Sequence, residues 1–437
     1  MSRLDTQVST LERASRGWLQ VPEQRSEPTW LLQRRQEARD YFKVHGLPDA
    51  KDESFRFLPL NSVASQHLEP PPTSADELSF SVNLRHYSAS VGFIDGCPVG
   101  AAVSTTEGLK LERLTELLTT GAEALEPFLG RIATPINGFA ALGLALFDDA
   151  WIVRVSEGVR VELPLEVIVR QQKGGCWMIP RLLVILEPRS RLALLERQVA
   201  AEDASFGLTT GVFEFSIAEG AELTHVRLAT HRREEAELSL AAAEVHAGGH
   251  YHSWVGSLGG GLTRLDTRVR LVGAGARVDL DGLYIARDHE LVDHHTVVYH
   301  ECESTTATET YRGIVDDEAQ AVFDGLIVVK PGAQQTNAQQ YNRNLILSDT
   351  AIVHTKPQLE IEADDVVCNH GATVGRLDTQ QLFYLQSRGL SAEFARQLLT
   401  SAFAAELIDR CPMAQLISTI KRRVALQLGG LEAIDDA

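Results

Sequence analysis

From about Leu146 to Gly375 the chain is a succession of short β-prone runs, and this pattern restricts the fold more than any other feature. The runs include Trp151-Ile-Val-Arg-Val, Leu165-Glu-Val-Ile-Val, Leu182-Leu-Val-Ile-Leu, Val212-Phe-Glu-Phe-Ser-Ile, Thr296-Val-Val-Tyr, Leu326-Ile-Val-Val and Ala351-Ile-Val-His. β-Branched and aromatic side chains suit a pleated, half-buried surface, so such runs read as strands. Turn residues break them at Glu219-Gly220, Gly248-Gly249, Gly273-Ala-Gly275, Asp316-Asp-Glu318, Pro331-Gly332 and Ser348-Asp349. The breaks fall at uneven intervals of about 15 to 45 residues, which excludes a strict short-period solenoid and permits an imperfect one. Two architectures remain, a β-sandwich and a right-handed parallel β-helix. The helix is favoured because polar residues such as Asn337, Asn342 and Asn344 cluster near turns and tight hairpin dipeptides are few. Only Asp281-Gly282 and Asp324-Gly325 qualify inside the region, with Asp95-Gly96 and Asn137-Gly138 ahead of it.

The two ends read differently. Leu4, Val8, Leu11 and Trp18 keep a loose helical spacing, and Trp30 to Phe42 carries a second periodic segment. Glu69-Pro70-Pro71-Pro72-Thr73 stiffens the chain into a connector. Strand-like runs near Leu78 to Val82 and Ser90 to Phe93 follow, then a helical pattern from Leu114 to Phe128. At the other end Asp378 is placed to cap a helix up to Arg388, with Gln381 reaching back and Gly389 stopping it. Ser391 is placed to cap a second helix whose Phe394, Leu398 and Ala402, flanked by Leu399 and Phe403, form an apolar stripe that must bury against something. A third pattern runs through Leu416, Ile417, Ile420, Val424 and Leu428. The expectation is a mainly β protein: a mixed helical region over 1–140, a β-helix core over 141–375 and a helical domain over 376–437.

Composition narrows the function. Hydrophobic residues at 44% and charged residues at 23% are ordinary globular usage, and no uncharged run is long enough for a membrane helix. A net charge of −18 repels phosphate backbones and no basic block offsets it, which argues against nucleic acid. The start of the chain lacks the pattern of a secretory signal, so a cytoplasmic location is expected. Five cysteines at 97, 176, 302, 368 and 411 include no close pair, and reduced thiols are expected.

The sharpest chemical feature is Cys368-Asn369-His370. On an extended strand, side chains two apart share a face with Cα atoms roughly 6.5 Å apart, so thiol and imidazole could meet one iron. Two donors do not complete a cluster site, which ordinarily takes four ligands, and no Cys-x-x-Cys supplies the rest. The bare alternative is a buried thiol beside a polar turn. A second group, His246, His250 and His252, and a third, His289, His294, His295, His300 and Cys302, have the density of metal ligands without a recognisable zinc spacing. No Gly-Lys dipeptide occurs, which excludes a P-loop, and the glycines from Gly256 to Gly261 read as a turn. One rival is a polysaccharide-acting β-helix enzyme, because Asp279 and Asp281 share a strand face. Against it, Val278, Leu280 and Leu283 suggest an inward apolar face with the aspartates pointing to water.

The stretch from Thr355 to Gly375, with Leu382-Phe-Tyr-Leu-Gln-Ser-Arg-Gly389 after it, resembles the signature of the SufB/SufD family. The likeness extends less tightly over Gly313 to Leu326 and faintly over Phe139 to Pro164 and Phe55 to Leu60. The Cys-x-His-Gly-Ala-Thr-x-Gly form is similar to the SufD branch. The resemblance implies a right-handed parallel β-helix with helical ends, acting as a non-enzymatic scaffold in a cytosolic complex that builds iron-sulfur clusters. It implies pairing of cores with a SufB-like paralogue and docking of a SufC-like ATPase on the C-terminal helices, with Leu382 to Phe403 as the docking surface. It makes His370 and Cys368 candidates to hold iron or a nascent cluster transiently with a partner subunit. A self-sufficient cluster carrier is a third reading, and flavin binding and homodimer formation by the isolated chain are left open. Val367 and Asn369 depart from the basic residue and serine expected beside the pair.

Overall fold

Each turn of the chain contributes one strand to each of two facing parallel sheets. The computed structural model describes residues 14–15, 17, 19, 27–49, 51–66, 68–69, 86–103, 106–172, 174–199 and 206–429. One sheet has ten strands, running from Cys97–Val103 (β2) and Ala89–Ile94 (β1) at one end to Thr336–Ile346 (β19) and Val366–Gly375 (β21) at the other. The facing sheet runs from Leu109–Arg113 (β3) and Trp151–Val155 (β4) through Leu262–Leu271 (β14), Leu291–His300 (β16) and Gln320–Val329 (β18) to Ile352–Ile361 (β20). The result is a parallel β-solenoid of about eight turns, and the sandwich alternative is set aside. At its first end the stack finishes in the antiparallel pairs β1–β2 and β3–β4, with β2 and β3 as edge strands; at the other end the edge strands are β20 and β21, parallel to their neighbours.

The stacking is in register. Leu262 lies beside Leu291, Arg277 beside Thr306 and Gln320 beside Ile352, so residues about one turn apart occupy equivalent positions. On one corner of the solenoid a left-handed residue recurs at Gly158, Arg189, Gly220, Gly248, Gly275, Ser304 and Gln335. The separations run from 27 (Gly248 to Gly275) to 31 (Gly158 to Arg189), far more regular than the visible turn residues suggest. Three of the seven are not glycine, which hides the repeat in the sequence.

Two of the four hairpin dipeptides do not turn the chain, and a third opens a helix. Asp95-Gly96 joins β1 to β2 with positive φ at both residues. Asn137 instead caps the helix Gly138–Leu146 by accepting from the Ala140 N–H at 2.9 Å, an N-terminus hidden by the Asn-Gly signal. Asp281-Gly282 and Asp324-Gly325 lie inside Arg277–Ala286 (β15) and β18. There the missing side chain makes room inside the solenoid: a Cβ on Gly282 would stand 2.1 Å from Cε1 of Tyr311, its partner on the next strand of the same sheet, and one on Gly325 2.2 Å from Nε2 of Gln340 on the facing sheet.

Outer faces are covered by the ends of the chain. The helix Thr29–His45, the helix Gly138–Leu146 and Phe55 pack on the second sheet, through Trp177, Leu183, Leu238 and Leu262 among others. The expected helical pattern from Leu114 to Phe128 is a helix over Leu114–Thr120 followed by a 3-10 turn. Ala392–Ile408 and Ile417–Gln427 pack through Ala404, Leu407, Ile420 and Val424 on Trp254, Leu283, Ile285 and Ile314 of the first sheet. Leu283 therefore faces outward to these helices, not inward with Val278 and Leu280. Among the described residues no helix is long and apolar enough to cross a membrane. The segments around Leu4 to Leu11, Pro70 to Thr73 and Leu78 to Val82 lie outside the described residues.

The interior is not uniformly apolar. Arg227 of Glu222–Thr230 (β11) is fully buried between Glu196, at 2.9 Å, and Glu237. At the adjoining corner His231 sits 2.6 Å from Glu237 and 3.1 Å from Glu235. Burial opposes its protonation, but the two carboxylates outweigh this and hold it up at about 9. Its folded value thus exceeds its unfolded one, so its stabilisation is complete below about pH 6.5 and is lost as pH rises through about 9. Denaturant unfolding at pH 6.5 and 9.5 is expected to show a loss on the order of 3 kcal/mol that His231→Gln largely removes. In the same assay Gly282→Ala is expected to cost about 1–3 kcal/mol by overpacking against Tyr311. Gly332→Ala, whose Cβ meets nothing within 4 Å, should be close to neutral.

Candidate functional site at the open end of the solenoid

Cys368 and His370 both lie on β21, the last strand of the ten-stranded sheet. The strand is continuous, with Cys368 paired to Ala338 and His370 to Gln340, so the two share the inward face as expected from their spacing. Inward facing here has an unusual consequence. In earlier turns the equivalent positions are sealed by the next turn, as with Ala338 and Gln340, both 0% exposed. No turn follows β21, so Cys368 is only half-buried against the core and His370 is exposed.

The departures at Val367 and Asn369 point to the outer face, both exposed. Burial pushes the Cys368 thiol above its ordinary value, partly countered by a hydrogen bond involving the Ala338 backbone. At neutral pH it is therefore a thiol, and binding a metal requires releasing its proton. None of the five cysteines is in a disulfide, and burial raises Cys97, Cys176 and Cys411 to about 11, 12 and 11.

The other histidine groups do not converge. His250 and His252, on the outer face of His250–Leu258 (β13), stand 2.7 Å from Asp279 and 3.3 Å from Asp281. Those aspartates also pair with Arg277, at 2.8 Å, and Arg410, at 2.9 Å. They share a face as expected, yet they are mostly buried as partners of histidine and arginine and do not simply point to water. His246 lies apart on a corner beside Glu244. His294 and His300 face the solenoid interior, where burial lowers each to about 4, while His295 faces outward beside Asp293 and His289 stands on an exposed corner. Alternation of strand faces thus separates residues that look clustered in sequence. Among the described residues no group of three or more His, Cys, Asp or Glu side chains is placed to hold a metal ion. Gly259 and Gly260 form the turn before β14, with φ of 108° and 121°.

A second exposed feature follows β21. Asp378 caps the helix Thr379–Ser387 by accepting from the Gln380 N–H at 2.7 Å, and Ser391 caps Ala392–Ile408 by accepting from that of Phe394 at 3.1 Å. The buried face of the longer helix is Ala395, Thr400, Ala404, Leu407 and Ile408. Of the stripe read from the sequence, Leu399 and Phe403 are half-buried, whereas Phe394 is 54% exposed and Leu398 and Ala402 are exposed too. Phe383, 72% exposed, and Tyr384 extend this apolar surface on the preceding helix.

The residues that sequence reasoning missed are those stacked behind the pair, above all Gln340 and Glu309. Each looks like a surface residue in isolation; the signal that would have found them is the concealed repeat of about 30 residues.

Comparison with known proteins agrees with this architecture. The family model "SUF system FeS cluster assembly, SufBD core domain" matches residues 168–403. The iron-sulfur cluster assembly protein SufD of Escherichia coli is 31% identical over 88% of this chain and 90% of its own length. An iron-sulfur cluster assembly SufBD family protein of Synechocystis is 28% identical over 92% of each chain. The SufD of Bacillus subtilis is 24% identical over 92% of this chain and 96% of its own. A match over more than half the chain, joined to a relative of that identity and coverage, means that this chain belongs to the SufB/SufD family of iron-sulfur cluster assembly proteins.

Proposed function

We propose that the chain is a SufD-type scaffold subunit, non-catalytic by itself, whose open solenoid end pairs with the core of a SufB-like paralogue. The observation that carries this is β21: ten residues without a lysine, proline or charged side chain, left as an edge strand. A long uncharged edge with free backbone donors and acceptors invites uncontrolled pairing, and proteins ordinarily blunt such edges with charge, proline or a cover. The first end of the solenoid also finishes in edge strands, but these are antiparallel to their neighbours, and β2 carries Pro98 and β3 Lys110, Glu112 and Arg113. A second solenoid laid against β20 and β21 would satisfy those backbone groups and cover the exposed Val367 and Val374. In the absence of the paralogue, a second copy of this chain is the natural occupant of the same edge.

Pairing at this end would bring the partner's donors to Cys368 and His370. Two donors from this chain leave the remaining positions of an iron or cluster to the paralogue, so the cargo would be shared and held at the joint. The exposed surface of Phe383, Tyr384, Phe394 and Leu398 suits a SufC-like ATPase, because clustered aromatic and aliphatic anchors carry most of the energy of such contacts. Motion of the ATPase on the helices that grip the solenoid through Trp254 and Leu407 would then be transmitted to the paired cores.

Replacing His370 by alanine is expected to lower iron loading of the reconstituted three-protein complex by more than about tenfold. Unchanged loading would discard the site. The two surfaces are separable by co-purification. Val367→Lys with Thr373→Lys, both on the outward face of β21, should abolish recovery of the paralogue, whereas Phe394→Glu with Leu398→Glu should lose the ATPase and keep the paralogue. Retention of both partners by both double variants would refute this arrangement.

A further inference from the structure

Behind His370 the stacked turns place a column of inward side chains. That residue ends a column of inward positions, His225, Ser253, Leu280, Glu309, Gln340 and His370, each paired in register with the next. Neighbouring strands lie about 4.8 Å apart, so the Gln340 side chain is the immediate inner neighbour of the His370 ring. Gln340 and Glu309 are both fully buried. The Gln340 amide donates through Nε2 to a carboxylate oxygen of Glu309 one strand further in, on Thr306–Val315 (β17). This fixes the amide with its NH2 toward the interior.

Its carbonyl oxygen, Oε1, is buried and has no partner. At this level the facing sheet presents Gly325 and Pro357, which carry no side-chain donor, and the inward hydroxyl of Thr355 two residues away is itself buried without a hydrogen-bond partner. Gly325 lies directly against the amide, where a Cβ would come within 2.2 Å of Nε2, and the residue paired with Gly325 on the last turn is Pro357. An unsatisfied buried acceptor costs about 1–3 kcal/mol. The next residue along the column that carries a side-chain N–H is His370.

We propose that Gln340, anchored by Glu309, is a positioning residue that accepts a hydrogen bond from the inward ring nitrogen of His370. The other ring nitrogen is thereby kept as a lone-pair donor directed to the open end. A neutral imidazole has one N–H and one lone pair, and the group that accepts from the N–H decides which nitrogen remains free to ligate. Gly325 belongs to the same device, because it leaves the space in which the amide turns. The metal-holding part of this inference rests on the His370 reading above; the positioning of the ring does not.

The test uses the full-length chain with nitrogen-15 in its histidines, read by long-range proton-nitrogen correlation, and cobalt(II) as the metal probe. Wild-type His370 is expected in one neutral tautomer. Gln340→Met, which keeps the volume and removes the acceptor, should give a mixture of tautomers and a cobalt(II) affinity about 10–100-fold weaker. Glu309→Leu should loosen the tautomer likewise, whereas Glu309→Gln, whose carbonyl still accepts from Gln340, should preserve it. This second pair decides the matter if Gln340→Met does not fold. A mixture in the wild type, or one unchanged tautomer in both Gln340→Met and Glu309→Leu, overturns the proposal. If His370→Ala leaves cobalt(II) binding intact while the tautomer still responds to Gln340→Met, the positioning stands and the metal reading fails.

Discussion

In-register stacking of one turn on the next governs this molecule. Parallel strands from successive turns satisfy each other's backbone groups, and every inward side chain lies on its counterpart about 30 residues earlier. Interior composition is therefore decided column by column. Tyr311 can occupy the core because Gly282 stands beside it, and Gln340 because Gly325 does. A buried arginine is tolerated where Glu196 and Glu237 flank it, since removing one partner would leave an uncompensated charge in a poorly polarisable interior.

The same rule produces the candidate site where it stops applying. A further turn would bury the inward positions of the last one; among the described residues no strand lies on β21 beyond its pairing with β19. Residues that the repeat places in the core are left at the surface on β21, which gives Cys368 and His370 a rigid backbone, a shared face and access from outside. The half-buried thiol and exposed imidazole thus follow from a single interruption of a periodic structure. The polar residues behind them, Gln340 and Glu309, continue the column inward.

Much of this was legible from residues alone. The β-rich middle, the corner turns at Gly220, Gly248 and Gly275, the caps at Asp378 and Ser391 and the common face of Cys368 and His370 all depend on local rules of spacing and conformation. Other readings failed for definite reasons. Asn137-Gly138 has hairpin chemistry, but asparagine is equally a helix cap, and the neighbouring packing of Phe139, Leu142 and Leu144 selects the cap. Asp281-Gly282 and Asp324-Gly325 have the same chemistry, yet their glycines make room for Tyr311 on the next turn and for Gln340 on the facing sheet. The histidines from His289 to His300 look like one ligand set until strand alternation sends them to the interior, the outer face and a corner.

By itself the sequence determined strand propensity, turn positions, capping and the alternation that puts a thiol and an imidazole on one side of a strand, because each depends on residues within a few positions of one another. The tertiary structure alone decided which strand is last, which apolar helix face stays uncovered and which buried amide stands behind His370. Those depend on contacts between residues about a turn or more apart, where three non-glycine residues at the left-handed corner conceal the repeat and only the assembled stack shows where it ends.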